Sequence, residues 1–175
     1  LLTVLTARTS VTASYVNSDI PVEMIVYTQT SPDLKTTMTG IKEMGERTGD
    51  GKRLPIKIDQ TSGFTWPWSW YLRHYENVGY PTYNSESNTG DTTAQVILVH
   101  SKNYEAANKA YSTDYLEPKR IPHRWWFPEH MYRDFSTPKL VSQVGSIKSW
   151  QRITKYWLFR EGVAENIRSE DAYLY

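Results

Sequence analysis

Cysteine is absent from the 175 residues. That excludes disulfide frameworks, thiolate metal sites and cysteine nucleophiles together, and it leaves the compartment open. Long apolar runs are missing as well: no stretch reaches the ~18–20 consecutive apolar residues that span a bilayer. Neither sign of charge dominates, with 20 Lys and Arg against 19 Asp and Glu and no run of like charges. A nucleic-acid partner calls for a clustered basic excess, so that class is set aside. Glycine is lacking where phosphate binding needs it. The turn after the first apolar strand, Thr28-Gln29-Thr30-Ser31-Pro32, has none, which argues against a dinucleotide fold or a P-loop. No Gly-x-Ser-x-Gly nucleophile elbow occurs. His123 and His130 with Glu129 match no standard zinc spacing, and structural roles suit these histidines better. No catalytic residue, metal ligand or cofactor is therefore assigned.

What the chain has is indole and phenol. Seven Trp and 13 Tyr stand against only 4 Phe, and rings with a polar handle favour half-wet surfaces and interfaces. The order of elements reads as alternating strand and helix. Glu23 to Gln29 is β-rich; Ser31-Pro32-Asp33 supplies an N-cap, a proline and an acid, a strong helix start, and Gly49 closes that helix. Pro55 to Asp59 reads as a second strand, Pro67 to Tyr75 as a helix, and Val78 to Tyr80 as a short strand. Tyr83 to Thr93 reads as a polar loop, Ala94 to His100 as the clearest strand, and Asn103 to Tyr111 as a short helix. Residues 112 to 135, with three prolines, read as mainly irregular. A helical region then starts at Thr137-Pro138, carries the stripe Ile147, Trp150, Thr154, Trp157 and Leu158, and ends at Gly162; a last strand begins at Asp171. Such alternation predicts an α/β fold, a single three-layer Rossmann-like domain with a mostly parallel sheet. Residues 1–20 read as a lead-in and 21–175 as the domain, which ends on a strand-like run as though cut from a longer protein.

Two aromatic clusters are the candidate binding sites. On a helix from Pro67, at about 100° per residue, Trp68, Tyr71, Leu72 and Tyr75 form a core stripe. Trp70, Arg73 and His74 fall opposite, with Trp66 at the helix entrance on the same side. Packing against the rest of the domain explains that second face as well as a ligand does. The other cluster is Arg124, Trp125, Trp126 and Glu129, on a proline-bounded segment. Indoles beside guanidinium and carboxylate groups suit sugar rings, and they equally suit a protein interface. Asp59, at a strand end, is a further ligand candidate, although such residues also cap loops.

The strings Val22 to Asp33, Thr65-Trp66-Pro67-Trp68-Ser69-Trp70-Tyr71-Leu72-Arg73-His74-Tyr75 and His123-Arg124-Trp125-Trp126-Phe127-Pro128-Glu129 resemble one particular family. It is the C-terminal soluble region of large multi-spanning bacterial and archaeal membrane proteins. These are grouped with integral-membrane glycosyltransferases, relatives of protein mannosyltransferases and oligosaccharyltransferases. The resemblance runs from about residue 20 to the end. It implies a soluble domain that follows a membrane helix, on the extracytoplasmic side of the cell membrane. Its implied partners are its own membrane-spanning module and a glycan or lipid-linked sugar. Catalytic acids of such enzymes lie in membrane loops, so the parent would be the transferase and the isolated domain would be inactive. Two other readings stand beside it. One is a structural interaction domain docking onto its own membrane part; the other is a free-standing α/β hydrolase or transferase using Asp59, Arg73 and Glu129.

Overall fold

The computed structural model of the chain describes residues 2–18, 20–23, 28–83, 93–128, 136–163 and 167–175. Residues 24–27 of the expected first strand, the polar loop over 84–92, and Glu129 with His130 lie outside the described residues. The chain divides into two compact units: Leu1–Gln29 with Arg124–Ser169, and Thr30–His123 with Glu170–Tyr175.

In chain order the described helices are α1 (Leu2–Val11), α2 (Asp33–Thr48), α3 (Thr65–Tyr71), α4 (Tyr104–Tyr111), α5 (Thr137–Val144) and α6 (Ile147–Phe159). The strands are β1 (Thr28–Thr30), β2 (Ile56–Ile58), β3 (Val78–Gly79), β4 (Val96–His100), β5 (Lys119–Trp126) and β6 (Arg168–Leu174). They form one sheet in the order β1-β5-β6-β4-β2-β3.

The mostly parallel Rossmann sheet is not what forms. β2 does run parallel to β3 and β4, with Ile56 opposite both Val78 and Val96. β6, however, lies against the other edge of β4 and runs antiparallel to it, pairing Leu98 with Leu174 and His100 with Ala172. The sheet is mixed, with antiparallel pairing predominating over the six strands. Alternation of strand and helix predicts parallel pairing only if every helix is a crossover between neighbouring strands. Here the C-terminal strand returns to the sheet centre and breaks that rule. Burial marks the difference: all five residues of β4 are buried, as in a strand covered on both faces, whereas β6 buries only Glu170 and Ala172 among its seven.

The second correction is β5, which occupies part of the stretch read as irregular. Pro122 sits inside it, between buried Ile121 and buried His123. Proline at that point masks a strand to sequence reading, because it removes a ladder donor. The third concerns 137–162, which is two helices broken at Gly145-Ser146 rather than one region.

Within the second unit, period-two alternation along β4 sends side chains to two cores. Val96 and Leu98 join Leu34 and Ile41 of α2, Ile56 and Ile58 of β2, and Trp68 and Leu72. Ile97 and Val99 join Tyr83, Ala107, Tyr111 and Tyr175 on the other side. The α2 boundaries follow the expected chemistry. The Ser31 hydroxyl accepts from the Asp33 amide at 3.1 Å, and Gly49 takes the left-handed conformation, φ 80°, that ends the helix. Gly45 serves a different purpose: a Cβ there would stand 2.5 Å from the carbonyl oxygen of Gly51, so only glycine lets the turn after α2 pass so close. The first unit has its own smaller core of Val22, Phe127 and Val163, with Tyr156 and Ile167 against it.

Candidate functional site

The helix of the Trp-Pro-Trp-Ser-Trp string is short. Trp66 is non-helical (φ −89°, ψ 128°), the Trp66–Pro67 bond is cis, and regular helix begins at Pro67 and ends at Tyr71. Arg73 and His74 therefore lie past the helix, where the expected extension to Tyr75 does not occur. The division of faces nevertheless holds near its start. Trp68 and Leu72 are fully buried and Tyr75 packs against the same core. Trp66 and Trp70 are 56% and 55% exposed. Tyr71, expected in the core stripe, is exposed as well. Arg73 folds back so that its guanidinium carbon lies 4.4 Å from the Trp70 ring centroid, and its Nη1 donates to the Trp70 carbonyl oxygen at 2.7 Å. This holds a cation on an open indole, an arrangement favoured by the ring quadrupole. His74 is exposed beside it in the chain.

Arg124, Trp125 and Trp126 end β5 and belong to the first unit, whereas Trp66 to His74 belong to the second. All three are half-buried. Arg124 and Trp126 project from the same side of the strand, as period two requires, and the guanidinium carbon lies 4.9 Å from the indole centroid. Glu129, the expected acceptor for these cations, lies outside the described residues.

Asp59 has a different character. It follows β2, is fully buried, and its carboxylate organises the strand ends of the second unit. Oδ1 accepts from the Thr61 amide at 2.9 Å; Oδ2 accepts from the His100 amide at 3.2 Å and from Asn103 Nδ2 at 2.7 Å. Asn103 Nδ2 also donates to Thr61 Oγ1 at 2.8 Å. A buried carboxylate needs such donors to offset its lost hydration. Three donors converge on it, which is the geometry of a loop cap.

Next to it is a pair that sequence reading missed. His100 and Glu170 are both buried, and His100 Nε2 meets Glu170 Oε1. His100 Nδ1 accepts from the Lys102 amide at 2.8 Å. Both imidazole nitrogens thus face protein groups. His123 is fully buried too, stacked on Trp68 and packed against Phe64. The sequence signals for this network were Asp59 at a strand end and His100 at the end of an otherwise apolar strand. Asn103 and Glu170 gave none.

A groove of about 920 Å³ runs along α2 in the second unit, bordered by Thr36, Gly40, Arg47, Asp114, Glu117 and Lys119. None of the residues singled out from the sequence borders it. No family model, curated protein or solved structure matches the chain. Among the described residues no helix is long and apolar enough to cross a membrane, and no group of three His, Asp or Glu stands ready to hold a metal ion.

Proposed function

We propose that this chain is the accessory domain of a membrane glycosyltransferase-like protein, on the extracytoplasmic side, where it binds or orients a glycan or acceptor. The observation that carries the reading is the Trp66, Trp70 and Arg73 platform: two indoles more than half exposed, one with a guanidinium held across it. Exposed indoles are costly in water, and the C–H face of a pyranose ring is an apolar surface that fits them. The guanidinium has five N–H donors, more than its one bond to the Trp70 carbonyl uses, and sugar hydroxyls accept from such groups. The membrane context rests on the resemblance of the Trp-Pro-Trp and Arg-Trp-Trp-Phe-Pro-Glu strings.

The test is a titration of the purified chain with soluble mannose- and glucose-containing oligosaccharides, followed through the indole N–H resonances in a 1H–15N spectrum. The Trp66 and Trp70 signals should move together with one saturable Kd, and Trp70→Ala should remove the response at Trp66. Signals that stay fixed across the panel would remove the glycan reading.

A further inference from the structure

Of the stripe expected along α6, Ile147, Trp150, Thr154 and Trp157 are exposed and Leu158 is half-buried, and Ile153 adds a further exposed apolar side chain. At about 100° per residue, Ile147, Trp150, Ile153 and Trp157 share one side of the helix. All four are 47–77% exposed. The side that packs onto the first unit is a different one: Ser149 is buried, and Tyr156 joins the small core and donates its hydroxyl to the Val22 carbonyl at 3.1 Å. Leu140, Val141 and Val144 of α5 are exposed as well. Trp150 Nε1 donates to the Val144 carbonyl at 2.8 Å, which pins that indole across the α5–α6 turn. The Arg8 guanidinium of α1 donates to the Leu158 carbonyl, so α1, with exposed Leu2 and Val4, lies beside α6.

The two helices themselves carry charge of one sign. From Thr137 to Arg160 there are five Lys or Arg and no Asp or Glu. Lys148, Arg152 and Lys155 line a shallow groove of about 530 Å³ together with Ser146 and Gln151, and at about 100° per residue these three cations lie on the side of α6 opposite the apolar stripe. The acidic neighbours are Glu161, 3.5 Å from Lys155 with both side chains exposed, and Glu23, which is committed to Arg160 at 2.7 Å. Arg152 touches the Ser149 hydroxyl at 3.4 Å, and Lys148 is solvent-facing. A helix with tryptophan and isoleucine on one face and lysine and arginine on the other suits the boundary between lipid headgroups and acyl chains. There the indoles reach the acyl region while the cations meet phosphate.

We infer that α5 and α6 form an interfacial surface that seats the first unit on an anionic lipid bilayer, with Ile147, Trp150, Ile153 and Trp157 inserted and Lys148, Arg152 and Lys155 on headgroup phosphates. The surface uses a different unit and different side chains from the glycan platform, and the two ideas stand or fall separately.

Cosedimentation of the purified chain with vesicles of phosphatidylcholine, alone or mixed with phosphatidylglycerol, tests it. Binding should be strong only to the mixed vesicles and should weaken with salt. Trp150→Ser with Trp157→Ser should lower partitioning about tenfold, and Lys148→Glu with Arg152→Glu should abolish the preference for anionic lipid. Because all four positions are solvent-facing, circular dichroism of the variants should match the parent, and the charge-reversal pair keeps the apolar stripe as an internal control. Inorganic phosphate at millimolar level should not displace the chain from vesicles; displacement would mean a phosphate-ion site instead. Equal binding to both vesicle types, or none, overturns the proposal. So does concentration-dependent self-association that the tryptophan pair suppresses, which would assign the face to a second copy of the chain.

Discussion

The Trp68 indole lies parallel to the His123 imidazole, with 7° between the ring planes and 5.6 Å between centroids. Phe64 closes the group, its centroid 4.5 Å from His123 and 6.5 Å from Trp68. His123, which the sequence assigns a structural role rather than a metal-binding one, is a core residue packed beneath the short helix that carries the exposed tryptophans.

Trp68 and Trp70 sit two residues apart and should behave oppositely. Trp68→Ala empties a fully buried site and should destabilise the chain by about 3–5 kcal/mol. Trp70→Ala removes an exposed ring that packs against the Arg73 cation, so its cost should stay within about 1 kcal/mol. Urea titrations at constant m-value measure both. Comparable losses for the two variants would mean that the outer indole also packs inside, and the binding platform would no longer follow.

Asp59 tests whether the strand-end network is structural. Asp59→Ala strands the Thr61 and His100 amides and the Asn103 side chain without their acceptor, at about 2–4 kcal/mol. Asp59→Asn keeps one acceptor oxygen and should cost clearly less. The same protein should not hydrolyse activated sugar esters. A hydrolase activity that Asp59→Ala abolishes without loss of fold would make this carboxylate catalytic and contradict its capping role.

The tyrosine core of the second unit sets an alkaline limit. Burial pushes the Tyr83 and Tyr175 phenols far above their ordinary 10.0, and it raises Tyr111 and Tyr115 in the same direction. A raised phenol keeps its proton in the folded state while the unfolded chain ionises. Their contribution is therefore complete below pH 10 and is lost as pH climbs above it. Urea midpoints should be flat between about pH 8 and 9.5 and fall steeply beyond about pH 10. Tyr83→Phe, which has no proton to lose, should reduce that fall. An unchanged alkaline slope in the variant would show that other groups set it.

Local chemistry determined a good part of this molecule. Ser31-Pro32-Asp33 and Gly49 bound α2 because caps and left-handed turns depend on neighbouring backbone groups alone. The apolar run of β4 marks a strand covered on both faces, and Trp68 with Leu72 marks the inner side of α3, because periodicity is a property of a few consecutive residues. Tertiary structure decided the rest. Whether Leu98 pairs with Leu174 antiparallel, or with a strand reached by a crossover, depends on a partner far along the chain that no local pattern names. The same distance hid the meeting of Asp59, Asn103, His100 and Glu170. The α6 stripe is the plainest case: its spacing was legible, but an amphipathic pattern says only that one face is apolar. What covers that face is fixed by which surfaces the chain has left to bury, and here Tyr156 took the inner position and left Trp150 and Trp157 facing out.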